Sequence, residues 1–454
     1  MEQRRVLVIG GDAAGMSAAS QARRMCSAES TRITAFERGP RTSYAACGLP
    51  YLVEGLVEDP ADLVARSPEE HRERGIDVHV GHEVTSIDLD ARNVVVRDLA
   101  SGEERTEGWD DLVVATGARG IVPPLPGIES EGVQQLRTLD DAAAIEQAIA
   151  AGARNAVVVG AGYIGLEVAE ALVHRGLAVT VIEMADVPMA GNLDADMAEL
   201  VADAVRDAGV DLRLGAAVEG FESVQGRLGA VVAEGTSFDA DLAVLGLGVR
   251  PNSELAKAAG LEVGPTGGIV VDETMNAGVP GVWAGGDCVQ STHRITGEPV
   301  VIALGTHANK HGRIIGTNIA GGDATFPGVI GTAITKFADT EIGRTGIGER
   351  EADRAGIDVV TSRSTSRTRA GYYPGGSPIT VKLSVRSDDG VLVGAQVVGG
   401  PGSGKRIDAL ATAIWAGMTV DDLAMADLSY APPFSPVWDP VVFAAGVADT
   451  KLHR

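Results

Sequence analysis

Cys47 is the residue whose type and setting point most directly to chemistry. Three cysteines occur, Cys26, Cys47 and Cys288, and no two have the CxxC or CxxxxC spacing of a disulfide pair or a zinc ligand set. A lone cysteine is usually a small buried hydrophobic residue. Cys47, however, lies in the stretch TSYAACGLPY of residues 42–51, after a polar loop and at a predicted helix start that would favour the reactive thiolate. These surroundings favour a reactive thiol at Cys47 over a packing role.

Two glycine-rich turns give the second chemical signal, because they have the pattern that binds a dinucleotide pyrophosphate. The sequence GGDAAG spans residues 10–15, and GAGYIG spans residues 160–165. Such glycines permit a tight turn, let backbone N–H groups approach the phosphates, and place the positive end of the next helix beside them. An acid that could accept ribose hydroxyls follows each last glycine, Glu37 by 22 residues and Glu183 by 18 residues. Both spacings are close to the usual value of about 20.

The two turns differ at one position. The second is complete, whereas Asp12 replaces the middle glycine of the first. A carboxylate beside a pyrophosphate is unfavourable, so we expect Asp12 to point away or to be hydrogen-bonded. In the second copy Glu183 would repel a 2′-phosphate, and residues 184–189 contain no arginine or lysine to bind one. This predicts NADH in preference to NADPH.

The elements around these turns predict the fold. Strands are predicted at 6–9, 33–37, 94–96, 112–114, 156–159, 179–183, 242–246, 282–287, 379–383 and 391–395, and helices end near residues 25 and 175 and span about 405–416. Two strand–turn–helix–strand units imply two Rossmann-like nucleotide-binding domains in an α/β protein, followed by a C-terminal α+β domain. The predicted segments are 1–115 and 247–325 for a split first domain, 116–246 for the second, and 326–454 for the third.

Composition excludes several function classes. The 454 residues include 38 Lys+Arg and 62 Asp+Glu, a net charge of −24, which argues against nucleic-acid and anionic-membrane partners. A hydrophobic content of 45% can supply large cores. We see no signal peptide and no apolar run near the ~18 residues of a transmembrane helix, and the few cysteines fit a reducing compartment. We therefore expect a cytoplasmic protein.

Taken in order, the motifs resemble the flavin-dependent pyridine nucleotide–disulfide oxidoreductases over essentially the whole chain. The resemblance is strongest to the single-cysteine branch of coenzyme A disulfide reductases, persulfide reductases and NADH oxidases. Besides the two glycine turns, the motifs that carry it are SYAACGLPY at 43–51, ATG at 115–117, NLDADM at 192–197, GGD at 285–287, YYPG at 372–375 and YAPPF at 430–434.

The resemblance implies FAD in the first fold and NAD(P)H in the second, with Tyr163 as a gate over the flavin. Glu37 would bind the FAD ribose and Asp287 its ribityl chain. The implied cofactor contacts are Gly10, Gly11, Ala14, Gly15, Glu37, Arg38, Thr116, Gly117, Gly286 and Asp287 for FAD, and Gly160, Gly162, Tyr163, Ile164, Gly165 and Glu183 for NAD(P)H. A homodimer is also implied, in which Tyr372 and Tyr430 of the partner subunit reach Cys47.

The cysteine count selects the chemistry within this family. Thr42 stands where dithiol members have their first cysteine, so Cys47 would rest as a mixed disulfide with a small thiol, as a persulfide or as a sulfenic acid. In the implied cycle, electrons pass from NADH through FAD to the S–S bond at Cys47. The thiolate then attacks the next disulfide while Tyr372 and Tyr430 hydrogen-bond to sulfur or protonate the departing thiolate.

The substrate residues match the family only in part. Five positions correspond to its coenzyme A contacts, Ser17, Gln21, Arg24, Ser43 and His307. Ala46 stands where an asparagine is usual, Trp438 replaces a lysine at the expected pocket mouth, and Gly75 replaces a basic residue. We expect reduction of coenzyme A disulfide or a related thiol or persulfide substrate.

Two alternatives stay open. The first is an NADH oxidase or quinone-type reductase, although Ala13 takes the place of a histidine found in many NADH oxidases. The second is a non-catalytic redox sensor that signals through Cys47. Other residues are given structural roles: Cys26 in packing, Cys288 at a helix start, and the acids at 69–70 on a solvated face. With no HExxH pattern and no His/Cys cluster, we expect no metal site.

Overall fold

The computed structural model describes residues 3–454, and the chain divides into two compact units. The first unit contains the described residues up to Gly48, then Val57–Ile121 and Val249–Val329. The second unit contains Leu49–Leu56, Val122–Gly248 and Ile330–Arg454. The predicted division into four sequence segments stays a prediction. Among residues 3–454, no helix combines the length and the apolar character needed to cross a bilayer.

A five-stranded parallel sheet forms the centre of the first unit. Its strands lie in the order Val282–Ala284, Asp111–Val114, Arg4–Ile9, Thr31–Glu37 and Asp77–Val80. The central strand and its neighbour Asp111–Val114 carry the continuous apolar runs 6–9 and 112–114 because both faces of the sheet are covered, and Val6, Val8 and Val113 are almost fully buried. The strands predicted near 6, 33, 112 and 282 are confirmed.

The other elements of the first unit flank this sheet. Its helices are Ala13–Met25, Pro68–Glu73, Glu254–Ala258 and Gly305–Ile319, with 3-10 turns at Ala46–Gly48 and Pro60–Leu63. An antiparallel sheet contains His82–Asp88, Asn93–Asp98 and Glu104–Gly108, and two short antiparallel pairs join Ala118–Gly120 with Val249–Pro251 and Ser291–Thr292 with Pro299–Val300.

The second unit contains a parallel sheet with the same strand logic. Its strands lie in the order Asp211–Leu214, Ala178–Glu183, Asn155–Val159, Leu242–Leu245 and Val133–Gln134. In both sheets the strand before the glycine turn is central, and the strand that ends in an acid lies beside it. This arrangement confirms two Rossmann-like folds.

The rest of the second unit includes the predicted α+β region. An antiparallel sheet runs in the order Ala333–Phe337, Thr340–Gly346, Leu392–Gly399, Pro378–Arg386 and Val359–Arg367, and a smaller one contains Val218–Val224, Arg227–Ala233 and Thr236–Asp239. The helices are Leu49–Glu54, Leu139–Ala150, Tyr163–His174, Ala195–Asp207, Glu349–Ala355, Ile407–Ala416, Val420–Ala424 and Pro440–Leu452, with a 3-10 turn at Gly404–Arg406.

Two helices of the first unit pack unusually closely. A Cβ atom at Gly312 would lie 2.4 Å from the carbonyl oxygen of Ala14, and one at Gly316 would lie 2.5 Å from that of Ala18. The helix Gly305–Ile319 therefore touches the backbone of the first helix directly, and this approach requires glycine at both positions. This contact fixes the helix whose N-terminus follows the first glycine turn.

Cys288 corrects one expectation. The segment after Gly285 forms a turn rather than the predicted helix start, because Gly286 takes the left-handed conformation with φ +83° and turns the chain. Cys288 is fully buried, and its Sγ lies 3.3 Å from the carbonyl oxygen of Gly285. Burial raises the pKa of the Cys288 thiol, so its role is in packing. Cys26 follows the last residue of the first helix and is half-buried.

His311 links the helix Gly305–Ile319 to this turn. Its Nδ1 accepts a hydrogen bond from the Gly286 N–H at 3.2 Å, and its ring contacts Phe326 edge-on with centroids 4.3 Å apart. Burial lowers the pKa of His311 to about 3, and electrostatic repulsion from His307 and Lys310 acts in the same direction. The unfolded chain therefore binds more protons than the folded chain between about pH 6.5 and pH 3, and stability falls as pH falls through that window.

The substitution His311→Asn keeps an acceptor for the Gly286 N–H and removes the titrating group. We expect the wild-type free energy of unfolding to fall by about 3 kcal/mol more than that of the variant between pH 7 and pH 4, at 1.36 kcal/mol per pKa unit. Urea unfolding of the cofactor-loaded proteins at both pH values measures this difference. Equal losses in the two proteins would contradict it.

Candidate active site

The loop that carries Cys47 is held from two sides. The Ser43 N–H donates to the carbonyl oxygen of Gly11 at 3.0 Å, which ties the loop to the first glycine turn. On the other side, the Ala65 N–H donates to Ser43 O at 2.9 Å and the Ala45 N–H donates to Leu63 O at 2.7 Å. Cys47 itself is exposed, in the 3-10 turn Ala46–Gly48. The thiol is therefore presented to solvent from a fixed backbone.

Ser43 has an uncommon backbone conformation in this loop. Its φ of +50° is in the left-handed region. This conformation costs a non-glycine residue energy, and it persists only where surrounding contacts hold the backbone in place. The hydrogen bonds of its N–H and carbonyl oxygen supply that restraint. Its side-chain Oγ lies 3.0 Å from Nε2 of His71, a fully buried residue on the helix Pro68–Glu73.

A cavity of about 510 Å³ opens beside this loop within the first unit. It brings together four of the predicted substrate residues, Ser17, Gln21, Arg24 and Ser43. The residues that complete its lining are Asp12, Ala13, Met16, Ser20, Tyr44, Ala45, Ala65, Arg66, His71, Asn309 and Arg313. The lining contains three arginines and one carboxylate, so the cavity favours an anionic ligand.

The first helix supplies one wall of the cavity through residues that share a face. Ser17, Gln21 and Arg24 follow one another by four and three residues, the spacing of neighbours on one helix side. Ser17 Oγ donates to Asn309 Oδ1 at 2.6 Å, and Gln21 Nε2 donates to Thr317 Oγ1 at 3.1 Å. The packed helix Gly305–Ile319 therefore orients these polar side chains.

Two predicted substrate residues lie elsewhere. His307 packs edge-on against Phe326 with centroids 6.3 Å apart, and burial lowers its pKa. Trp438 belongs to the second compact unit and is 65% exposed. Their assignment to the substrate site stays a prediction.

Four residues that line the cavity were not predicted from the sequence: Arg66, His71, Asn309 and Arg313. The helix Pro68–Glu73 could have been anticipated, since Ser67 and Glu70 form a capping box. The cavity-facing placement of His71 depends on long-range packing, which has no local signal. Burial, with added repulsion from Arg66 and Arg74, lowers the pKa of His71 to about 4, so its ring is neutral near pH 7.

The two glycine turns are braced by their acids in the same way. Glu37 accepts hydrogen bonds from the N–H groups of Gly11 and Gly39, both at 2.7 Å. Glu183 accepts from the N–H groups of Ala161 at 2.8 Å and Ala185 at 2.9 Å. Each carboxylate thereby sets the turn geometry from the end of the neighbouring strand.

The first and last glycines of both turns are required by the backbone geometry. Gly10 and Gly160 have φ values of +108° and +103°. A Cβ atom at Gly15 would lie 2.0 Å from Gly10 O, and one at Gly165 would lie 2.0 Å from Gly160 O. No larger residue fits where the helix approaches the strand this closely.

The turns leave room for phosphates. A Cβ atom at Gly162 would meet no atom of the described residues within 4 Å. In residues 3–454, no side chain caps the N-terminus of either following helix, Ala13–Met25 or Tyr163–His174. First-turn N–H groups, including those of Ala14 and Ile164, are thus placed to bind phosphate oxygens. Both turns fit a dinucleotide.

Further predicted cofactor residues lie in the same unit as the first turn. Thr116 Oγ1 donates to Asn252 O at 2.5 Å, and Gly117 has a φ of +65°. Gly286 follows the strand Val282–Ala284, and the next residue, Asp287, is half-buried. Arg38 is exposed directly after Glu37. Their contacts with FAD stay predictions.

Asp12, the unusual residue of the first turn, precedes the first helix without capping it by a side-chain hydrogen bond among the described residues. It lines the cationic cavity. Arg24, Arg66 and Arg313 line the same cavity, which offsets the negative charge of Asp12. The direction of its side chain stays a prediction.

Tyr163 is the first residue of the helix that follows the second glycine turn. Burial raises its pKa to about 12, so its phenol stays protonated near pH 7. One turn later, burial raises the pKa of Glu167, whose carboxylate accepts a hydrogen bond from Thr335 Oγ1 at 2.8 Å.

Tyr372 and Tyr430 are brought together in the second unit. Interaction with the Tyr372 side chain raises the pKa of Tyr430. Both are exposed, Tyr372 by 78% and Tyr430 by 47%, as are Phe434 and Trp438. Exposed aromatic residues of this number are typical of an interaction surface.

One acidic cluster was also missed. Glu54, Glu170 and His174 bring three potential metal-ligand atoms within 4.8 Å of one another. The protein's own side chains pair these groups, since His174 Nδ1 contacts Glu54 and Lys336 Nζ contacts Glu170. The members come from distant segments, so spacing in the sequence gave no signal. The expectation that the protein holds no metal stays a prediction.

Comparison with known proteins identifies the family to which the chain belongs. Residues 4–312 match the family of pyridine nucleotide-disulphide oxidoreductases, and residues 332–440 match the dimerisation domain of that family. The chain belongs to the pyridine nucleotide-disulphide oxidoreductases. The family assignment from the motifs is thereby confirmed.

Similar proteins cover the full length of the chain. It is 40% identical to an NAD(P)H sulfur oxidoreductase (CoA-dependent) of Pyrococcus furiosus, covering 98% of this chain and 99% of the relative. It is 39% identical to an NADH oxidase of Methanocaldococcus jannaschii (99% and 100%) and 32% identical to a coenzyme A disulfide reductase of Staphylococcus haemolyticus (95% and 96%). Among solved structures, an NAD-dependent persulfide reductase from A. fulgidus superposes with a TM-score of 0.95 at 44% identity, covering 98% of this chain and 83% of that one.

A matched pair of glycine substitutions separates structural from ligand-facing positions. Gly165→Ala forces the clash with Gly160 O and should lower the free energy of unfolding by about 2 kcal/mol or more. Gly162→Ala places its methyl group in open space, so stability should change by less than about 0.5 kcal/mol while the KM for NADH rises roughly tenfold, about 1.4 kcal/mol of lost binding.

Urea unfolding and steady-state kinetics measure both effects. If Gly162→Ala leaves the KM for NADH unchanged, the open space is not where the pyrophosphate binds.

Proposed function

We propose that this protein is an FAD-dependent oxidoreductase that uses NADH to reduce a small-molecule disulfide or persulfide through Cys47. The observation that carries the proposal is the placement of an exposed thiol on a loop anchored to the first glycine turn, beside a cavity rich in arginine. The proposal is supported by relatives that are named for reactions on sulfur compounds and that align with almost the whole chain.

Cys47 must carry the reaction without help from another cysteine. Cys288 is fully buried and packed against backbone carbonyl groups. Cys26 lies at the far end of the first helix from Gly11, and the 13 residues of that helix span about 20 Å. No internal disulfide is therefore available to Cys47, and the second sulfur has to come from the substrate.

The residues of both turns would hold the cofactors in the proposed enzyme. Gly10, Gly11, Gly15 and Glu37 would bind FAD, and Gly160, Gly162, Gly165 and Glu183 would bind NADH. When bound, FAD supplies a two-electron relay between the nicotinamide and the sulfur of Cys47.

Cys47 takes part in one thiol–disulfide exchange, which is followed by one reduction. Its thiolate attacks one sulfur of a disulfide RSSR, which forms a Cys47–S–S–R bond and releases RS⁻. The mixed disulfide then accepts two electrons, which frees the second RS⁻ and restores the Cys47 thiolate. The balance is RSSR + NADH + H⁺ → 2 RSH + NAD⁺. A persulfide RSSH would give RSH, HS⁻ and NAD⁺ for one NADH.

Protonation of the leaving thiolate is assigned to the tyrosine pair. We place Tyr430 and Tyr372 of the partner subunit at Cys47 in a homodimer. The match to the dimerisation domain of the family and the exposed aromatic surface around these residues support this placement. Interaction with Tyr372 raises the pKa of Tyr430 above the usual value of about 10, so the phenol carries its proton at neutral pH and can donate it to the thiolate.

Coenzyme A disulfide is the substrate that we favour. The cavity runs beside the first helix from Asp12 to Arg24 and carries Arg66 and Arg313 as well. Guanidinium groups are suited to phosphate groups, and the names of two relatives include this coenzyme.

Replacement of Cys47 tests the proposal directly. Cys47→Ser should lower kcat for coenzyme A disulfide by about 1,000-fold or more, since a hydroxyl group cannot exchange with a disulfide. Cys26→Ser is the matched control and should retain kcat within twofold. Full reductase activity in Cys47→Ser would refute the role of the thiol. Oxygen consumption that persists without any disulfide turnover in the wild type would favour an NADH oxidase instead.

Glu183 should set the choice of nicotinamide. Glu183→Gln removes the charge that opposes a 2′-phosphate and retains one acceptor for the turn, so the ratio of kcat/KM for NADH to that for NADPH should fall at least about fivefold. The matched control is Glu37→Gln, the same change at the equivalent place in the first fold, measured on the FAD-loaded fraction. An equal shift in both variants, or none in Glu183→Gln, would contradict this assignment.

A further inference from the structure

The contact between Ser43 and His71 has no role in the chemistry described so far. His71 is fully buried, and its Nε2 lies 3.0 Å from Ser43 Oγ. Its other nitrogen, Nδ1, is buried and has no hydrogen-bond partner among the described residues. Both residues line the cationic cavity.

The protonation state of the ring is constrained by its neighbours. Arg66 and Arg74 lie near His71 and oppose a positive charge on it, while Glu70 acts in the other direction with a smaller effect. A neutral imidazole carries one N–H. A buried N–H without an acceptor is rarer in proteins than a buried acceptor without a donor. The arrangement with fewer unsatisfied donors puts the proton on Nε2.

We propose that His71 is a positioning residue whose Nε2–H donates to Ser43 Oγ, so that the Ser43 hydroxyl hydrogen is directed into the cavity as a donor for the substrate. In the opposite tautomer, the Ser43 hydroxyl would donate to His71 and only lone pairs would face a ligand. The inference rests on the proposed function, and it names the substrate group that Ser43 recognises.

The place of Ser43 in the cavity identifies that group. Ser43 precedes Cys47 by four residues and is hydrogen-bonded to Gly11, at the N-terminal end of the first helix. Arg24 is 12 residues beyond Asp12 on that helix, or about 18 Å along its axis. Ser43 therefore faces the part of a ligand next to its sulfur, and Arg24 faces the distal, anionic part. The acceptor for Ser43 is a carbonyl oxygen on the amide-bearing arm of the thiol.

Three disulfides test this assignment with the cofactor-loaded enzyme. Coenzyme A disulfide and pantethine share the amide-bearing arm, and bis(2-hydroxyethyl) disulfide lacks it. His71→Leu should raise KM three- to tenfold for the first two, the range of one neutral hydrogen bond, with no change for the third and with kcat within twofold of wild type. His71→Gln keeps a side-chain N–H near the position of Nε2 and should restore most of the KM.

A double-mutant cycle and a spectroscopic measurement complete the test. Ser43→Ala and His71→Leu should be non-additive in KM. The ¹⁵N shifts of the imidazole, assigned by difference from His71→Gln, should show the proton on Nε2. A proton on Nδ1, or a KM increase of equal size for all three disulfides, would overturn the inference. If the wild type reduces none of them, the proposed function fails, and the ¹⁵N spectrum still decides the tautomer.

Discussion

Gly11 is the constraint on which the site depends. Its N–H donates to Glu37 at 2.7 Å, and its carbonyl oxygen accepts from the Ser43 N–H at 3.0 Å. A Cβ atom there would lie 2.7 Å from Glu37 Cβ and 2.9 Å from Thr42 Cγ2. One residue without a side chain therefore joins the first glycine turn, the carboxylate of Glu37 and the loop that presents Cys47. A larger residue there would push the first glycine turn away from Glu37 and from the loop that carries Cys47.

The same scaffold also forms the cavity and determines which charged side chains line it. The close contact of two helices through Gly312 and Gly316 brings Asn309 to Ser17 and aligns the polar face of the first helix. The loop that carries Cys47 closes the cavity with Ser43, Tyr44 and Ala45. Arginines from three separate segments then favour an anionic ligand, while the neutral ring of His71 occupies the buried wall. The loop that carries Cys47 and the arginine-rich cavity thus rest on one backbone scaffold.

Local patterns in the sequence predicted the parts of the fold that depend on local rules. Glycine turns, apolar strands and distal acids follow from backbone geometry and burial, and the strands around Glu37 and Glu183 lie where their patterns indicated. The helix predicted at Cys288 failed because Gly286 turns the chain instead. His71 and Arg313 reach the cavity through packing of segments far apart in the sequence. The separate cluster of Glu54 and Glu170 is likewise assembled from distant segments. Such placements depend on tertiary contacts that no local window contains.

The central claim is that Cys47 carries reducing equivalents by forming a mixed disulfide with its substrate. Intact-mass spectrometry of the denatured, non-reduced protein tests it most directly, after incubation with one equivalent of coenzyme A disulfide and then with one equivalent of NADH. We expect one coenzyme A adduct per chain, mapped to Cys47, that disappears when NADH is added. A chain that gains no adduct on Cys47, or an adduct that survives stoichiometric NADH, would contradict it.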